Sequence, residues 1–86
     1  MSVTIQLTYD MSKAFGAQRV ELEGAATVAD AVRLVRDRFG DAERFDVLSR
    51  VAAIAVNGVL VNYRRGLKTA LADGDTVAFV KAAAGG

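Results

Sequence analysis

The stretch TVADAVRLVRDRFG, residues 27–40, decides the architecture. Val28, Ala31, Val32, Val35 and Phe39 recur at helical spacing and form one apolar stripe, while Arg33, Arg36, Asp37 and Arg38 lie mostly away from it. Thr27 stands where an N-cap accepts a bond from the first turn, and Asp30 holds the acidic position of a capping box. Gly40 suits the left-handed residue that ends a helix. The spacing therefore predicts a helix over 28–39, with one face to bury.

Everything around that helix reads as strand. Upstream, Val3, Ile5, Leu7 and Tyr9 alternate with Thr4, Gln6 and Thr8. DMSKAFGA follows as a turn or short irregular arm, and QRVELEG alternates again with Val20 and Leu22 inward. The two runs read as an antiparallel pair. Downstream, DAERFDVLSR (41–50) is mixed, with Phe45 and Leu48 available to anchor a short helical turn. VAAIAVNGVLV then reads as strand, turn, strand. Asn57-Gly58 is the hairpin signal, since a type I′ turn needs positive φ at both central positions. Leu67 and Leu71 are expected to be buried points in the next connection, and Asp73-Gly74-Asp75 makes a tight turn. TVAFVK closes the order as a strand with Val77 and Phe79 inward and Ala78 and Val80 on the opposite face.

The predicted order is β-β-α-β-β-β. One striped helix covers one face of a mixed sheet of four to five strands, an α+β domain. If the first and last strands lie side by side in the middle, the residues after the last strand project from a rigid platform. The expected division is a domain over 1–81 and a tail over 82–86.

Composition narrows the chemistry. The chain has 86 residues, 52% of them hydrophobic and 24% charged, with a formal net charge of +1. That balance does not indicate a nucleic-acid surface, and no apolar run approaches a membrane span. The opening MSVTIQLTYD alternates and does not read as a signal peptide. The sequence contains no Cys and no His. It thus lacks the usual ligands of structural zinc, the commonest general base and the most nucleophilic side chain. No bound cofactor or metal is expected, and a cytoplasmic location fits the missing cysteine.

Other charged groups read as ordinary surface. Arg33, Arg36, Arg38, Arg44 and Arg50 are expected to pair with Asp37, Asp41, Glu43 and Asp46 on a solvated face. Arg64-Arg65 beside Tyr63 reads as a solvated loop, and Asp73 with Asp75 as a turn, too few carboxylates for a calcium loop. Asp10 with Glu21 or Glu23 has nothing to place it in a cleft as an acid–base pair. Ala78 and Val80, with Leu60 or Val59, form either an exposed docking patch or a surface lying under the tail or the 63–70 loop.

The stretch AVNGVLVNYRRGLKTALADGDTVAFVKAAAGG, residues 55–86, resembles the C-terminal half of MoaD-like sulfur carriers, the small-subunit type of molybdopterin synthase. The likeness rests on Val56-Asn57-Gly58, Leu71 before Asp73 to Asp75, Val77 to Phe79 and the final Gly85-Gly86. YDMSKAFGAQRVEL also resembles the first hairpin arm of that family, so the likeness spans essentially the whole chain. Thiamine-pathway carriers, the ThiS-like branch, are usually shorter and lack the 41–50 segment. Family tails often carry prolines and larger apolar residues, where this chain has Lys81 and then Ala82, Ala83 and Ala84.

The resemblance implies a ubiquitin-like β-grasp fold and a carrier rather than a catalyst. A ubiquitin-activating-type partner enzyme would spend ATP to adenylate the carboxylate of Gly86. A sulfur donor would displace AMP to leave a thiocarboxylate. The sulfur would pass to an acceptor enzyme such as a molybdopterin synthase large subunit. Gly85 and Gly86 lack Cβ and can thread a narrow channel. On this reading Phe79, Val80, Lys81, Ala82, Ala83, Ala84 and Leu60 are the partner-binding residues. Without the resemblance, a Gly-Gly end reads as a frayed terminus. Two alternatives stay open: a modifier conjugated through Gly86 to target lysines, and a non-reactive β-grasp interaction module. An independent enzyme fits least, given so thin a catalytic inventory.

Overall fold

The computed structural model describes residues 1–61 and 66–81. Five strands form one mixed sheet among these residues: β1 (Ser2–Gln6), β2 (Arg19–Glu23), β3 (Ala52–Val56), β4 (Val59–Leu60) and β5 (Thr76–Lys81), in the spatial order β2-β1-β5-β3-β4. β1 runs antiparallel to β2 and parallel to β5, and β5 runs antiparallel to β3. The first and last strands are therefore neighbours inside the sheet. This is the ubiquitin-like β-grasp arrangement.

The main helix is α2 (Val28–Phe39), at the predicted bounds. The Thr27 side chain accepts from the Asp30 N–H at 3.2 Å, and the Asp30 carboxylate accepts from Thr27 N–H at 3.2 Å. The next free N–H groups of the helix find partners in the chain that crosses its start. Val28 N–H donates to the Thr69 carbonyl at 3.0 Å and Ala29 N–H to the Leu67 carbonyl at 2.9 Å. Leu71 is buried beside this crossing and Leu67 is half-buried. Gly40 ends the helix in the left-handed region, φ 80°.

Two further helices depart from the sequence reading. The alternation of residues 3–9 does not continue as strand: β1 stops at Gln6, and α1 (Tyr9–Phe15) begins. Thr8 caps it, accepting from Met11 N–H at 3.1 Å, and Gly16 closes it at φ 93°. The arm read as irregular is thus a two-turn helix that pins Met11 in the core. Tyr9, expected inward, is 73% exposed. Likewise 41–50 is more than one turn. Asp41 caps α3 (Ala42–Arg50) by accepting from Arg44 N–H at 3.1 Å, and Phe45 is buried. Val51 terminates this helix instead of starting the strand.

Val3, Ile5, Val20, Leu22, Val77 and Phe79 line one face of the sheet. Val28, Ala31 and Val35 of α2 pack on it, with Phe45 of α3. Phe15, Phe39, Phe45 and Phe79 form an edge-to-face chain, with successive ring centroids 5.5, 5.5 and 5.8 Å apart. It ties both extra helices to β5.

Candidate functional site

β5 carries the residues singled out for function, and its strand alternation sorts them. Val77 and Phe79 face the helices, while Ala78 and Val80 face the uncovered side. Phe79 is 4% exposed, so its place among the partner-binding residues is corrected. It supports the platform from beneath, and what little of it is exposed lines a cavity on the helix side with Ile54, Val61 and Leu67. Val80, 37% exposed, and Lys81 are accessible. Ala82, Ala83, Ala84, Gly85 and Gly86 lie outside the described residues, as do Tyr63, Arg64 and Arg65.

Register assembles the rest of the uncovered face. Leu60 lies opposite Ala55, Ala55 opposite Ala78, and Ala78 opposite Gln6; the neighbouring row sets Ala53 opposite Val80. Leu60, Ala53, Ala78 and Val80 make a low apolar strip over β4, β3 and β5, with Ala55, buried at 5%, as its floor. Leu60 stands out from it at 65% exposed. Ala53 and Ala55 were not legible in VAAIAV, because that run is apolar at both parities. Val59 pairs with Val56 and so points to the other side; only Leu60 belongs to the strip. Beyond Gln6 the face turns polar, with Ser2 and Thr4 on β1 and Arg19, Glu21 and Glu23 on β2. Residues 66–71 do not cover the strip. Thr27 bridges to Ala70 and Leu71 N–H donates to the Ala26 carbonyl, which places this segment at the start of α2.

The start of β5, the end away from Lys81, is held by the turns beside it. Asn57, at φ 50°, and Gly58, at φ 85°, make the expected hairpin turn. The Asn57 side chain then clamps the start of β5, accepting from Thr76 N–H at 2.9 Å and donating to Asp75 Oδ1 at 3.0 Å. Asp75 also accepts from Ala72 N–H at 2.8 Å, and Asp73 accepts from Ser2 N–H at 2.7 Å. The Ala72 bond, with help from Asn57, holds the Asp75 carboxyl below its ordinary value. Both carboxylates are spent on the turn. Among the described residues no cluster of acidic side chains is placed to hold a metal ion.

The basic residues behave as a solvated face. Arg36 forks onto Asp46 through two bonds of 2.9 and 3.0 Å, which lower the Asp46 carboxyl and raise the Arg36 guanidinium. Arg33 meets Asp30 at 3.2 Å, and Arg38 donates to the Glu21 carbonyl at 3.1 Å. Glu23 lies 3.4 Å from the Met1 ammonium. No helix among the described residues is long and apolar enough to cross a membrane.

The family model described as the ThiS family matches residues 8–86. Among solved structures, small archaeal modifier protein 1 of Methanosarcina acetivorans is similar at 23% identity and TM-score 0.79, covering 99% of this chain and 96% of that one. A chain of the Amycolatopsis orientalis BexX/CysO complex is 30% identical, TM-score 0.76, covering 98% of this chain and 99% of that one. A molybdopterin converting factor subunit 1, described as putative, from Pyrococcus furiosus is 22% identical with TM-score 0.75, covering 96% and 99%. Among curated protein sequences none matches.

Proposed function

The chain belongs to the ThiS family of small ubiquitin-like sulfur carriers and modifiers, and from that premise we propose that it carries sulfur as a thiocarboxylate on Gly86. The observation that carries the reading is the position of Lys81. It ends β5, an interior strand that pairs with β3 up to Lys81 and with β1 over Thr76–Ala78, and Ala82 to Gly86 follow it in sequence.

The chemistry asks little of the chain itself. A carboxylate oxygen leaves poorly. A partner enzyme joins that oxygen to the α-phosphate of ATP, releasing pyrophosphate, and the acyl adenylate then loses AMP to an attacking sulfide. One carbon–oxygen bond breaks and one carbon–sulfur bond forms. The carrier is the substrate of both steps. Val80, Leu60 and the alanines between them would seat the partner while Ala82 to Gly86 enter its active site. For the acceptor we propose a molybdopterin synthase large subunit. Supporting this is α3, the segment that shorter thiamine-pathway carriers usually lack, here built into the core through Phe45.

Intact-mass measurement after incubation with ATP, a sulfur donor and the host's adenylating enzyme tests the carrier role. The expected product has one terminal oxygen replaced by sulfur, and deletion of Gly86 abolishes it without changing the melting temperature. An unmodified mass beside an enzyme that is active on its own ATP reaction refutes it. Transfer from that product to a pterin precursor by the synthase large subunit tests the acceptor. Slower-migrating conjugates in the host, without thiocarboxylate, would assign the chain to lysine modification instead.

A further inference from the structure

The apolar strip of the sheet is too small to hold an enzyme by itself. Specific complexes bury roughly 800 Å² and 20–30 residues on each side. On a chain with 5556 Å² of accessible surface, that is about one-seventh of the whole. The strip is built largely from alanines, so the contact must extend beyond it.

The fold indicates where. The end of β1, the end of α3 and the end of β5 converge at the tail root, because β5 runs parallel to β1 and Lys81 pairs with Ala52 at the start of β3. A groove of about 160 Å³ opens there, on the side of Lys81 away from the strip, lined by Tyr9, Leu48, Val51 and Lys81 with Asp10 beside them. Tyr9 is 73% and Val51 61% exposed, and Val47 of α3 is exposed as well. Tyr9 is steadied by the Lys13 ammonium, 5.2 Å from its ring centroid. Exposed apolar side chains thus flank Lys81 on both sides: Val80 on the strip, Tyr9 and Val51 at the groove, with Leu60 farther along the strip, level with Ala78. Nothing in the core needs Tyr9 or Val51, since neither packs in it.

We propose that the Tyr9–Val51 groove is a second anchoring point for the enzyme that activates Gly86, taking an apolar side chain of that enzyme beside the entering tail. The inference rests on the carrier reading above. The activating enzyme is the occupant because activation precedes every later use of the carboxylate, whether the acceptor supplies sulfur chemistry or an amine. An enzyme that draws the carboxylate inward from a root only five residues away must close around Lys81, and so meets the groove as well as the strip. A tyrosine serves such a contact well: it offers large area with few torsions to freeze.

The test is Gly86-dependent ATP–pyrophosphate exchange by the host's adenylating enzyme, with the full chain as variable substrate. Tyr9→Ser and Val51→Ser are surface changes, checked for fold by circular dichroism. Each is expected to raise KM for the carrier roughly tenfold with kcat within twofold, the signature of lost binding. An unchanged KM in the double variant, with wild-type chain active and Leu60→Ser impaired, overturns this inference and leaves the carrier reading intact. No exchange with wild-type chain overturns both. A wild-type dimer dispersed by Tyr9→Ser assigns the groove to a second copy and overturns it. Shifts at the Tyr9 and Val51 amides on deleting residues 82–86 assign it to the chain's own tail, and also overturn it.

Discussion

Phe79 and Val80 are adjacent in sequence, yet one serves the core and the other the surface. Substituting each in turn separates stability from docking. Phe79 is 4% exposed and meets Phe45 edge-to-face at 5.8 Å. Phe79→Ala removes nearly a whole ring from the core, which costs about 3–5 kcal/mol. At roughly 0.05–0.15 kcal/mol per residue, a chain of 86 residues has about 4–13 kcal/mol in all. The variant therefore loses from about a quarter to all of its stability. With an unfolding entropy of about 2.1 cal/mol/K per residue, each kcal/mol is worth about 5 °C, so the melting temperature falls by about 15–25 °C. Val80→Glu changes a partly exposed position on the uncovered face. Strand preference spans only about 1 kcal/mol, so its melting temperature falls by no more than about 5 °C. The carboxylate it brings to the apolar strip is expected to raise KM for the activating enzyme at least tenfold. Urea titration with matched m-values measures the first effect and pyrophosphate exchange the second. If Val80→Glu costs as much stability as Phe79→Ala, the two faces of β5 have been assigned wrongly.

Gly66 and Val61 offer a packing test. A Cβ at Gly66 would sit 2.6 Å from Val61 Cγ2 and 2.9 Å from Val61 Cβ, so Gly66→Ala is expected to cost about 1–3 kcal/mol. Val61→Ala in the same chain should recover part of that loss, and strict additivity in the double-mutant cycle would contradict the contact. Acid should unfold the protein through its turn and cap carboxylates. Asp75 is held low chiefly by Ala72 N–H, Asp30 chiefly by Ala26 N–H and Asp46 chiefly by the Arg36 fork, each below the ordinary 3.8. A lowered folded-state value contributes stability above the unfolded value, and that stability is lost as pH falls through the folded one. Melting temperature is thus expected to hold between pH 7 and 5 and to drop steeply below about pH 4. Asp75→Asn should flatten that drop, and an equally steep fall in the variant would remove Asp75 from the explanation.

The bounds of α2 were legible because local and tertiary demands coincide there. Thr27, Asp30 and Gly40 mark the ends that the apolar stripe also requires. Asn57-Gly58 and the alternation of Val77, Ala78, Phe79 and Val80 were legible for the same reason. α1 was not. Val3, Ile5, Leu7 and Tyr9 keep one parity straight through the strand end, and Thr8 has Met11 rather than an acidic residue three positions on, so no capping box announces the helix. α3 shows its cap and two apolar positions, too few for periodicity to fix its length. The uncovered strip depends on pairing. Which parity of VAAIAV faces outward follows only from the register with Val77 to Lys81. The groove at Tyr9 and Val51 is not legible in the sequence, since each residue continues the apolar pattern of a neighbouring strand.

The same pairing sets what the sheet offers another chain at its two edges. Sheets associate most readily through their edges. Here β4, at one edge, is only two residues long, and β2, at the other, points Arg19, Glu21 and Glu23 outward. Neither edge offers a long apolar template. The strip runs instead across β3 and β5, with Leu60 of β4 at its rim. Drawing Gly86 into an active site would also pull on β5. That strand is paired with β3 over Val77–Lys81 and with β1 over Thr76–Ala78, and it is clamped at its start by Asn57 and by the Thr4 N–H bond to the Asp75 carbonyl, 2.9 Å. Peeling it away would break the centre of the sheet rather than an edge. The position of β5 thus lets one end of the chain be handled by an enzyme while the domain behind it stays folded.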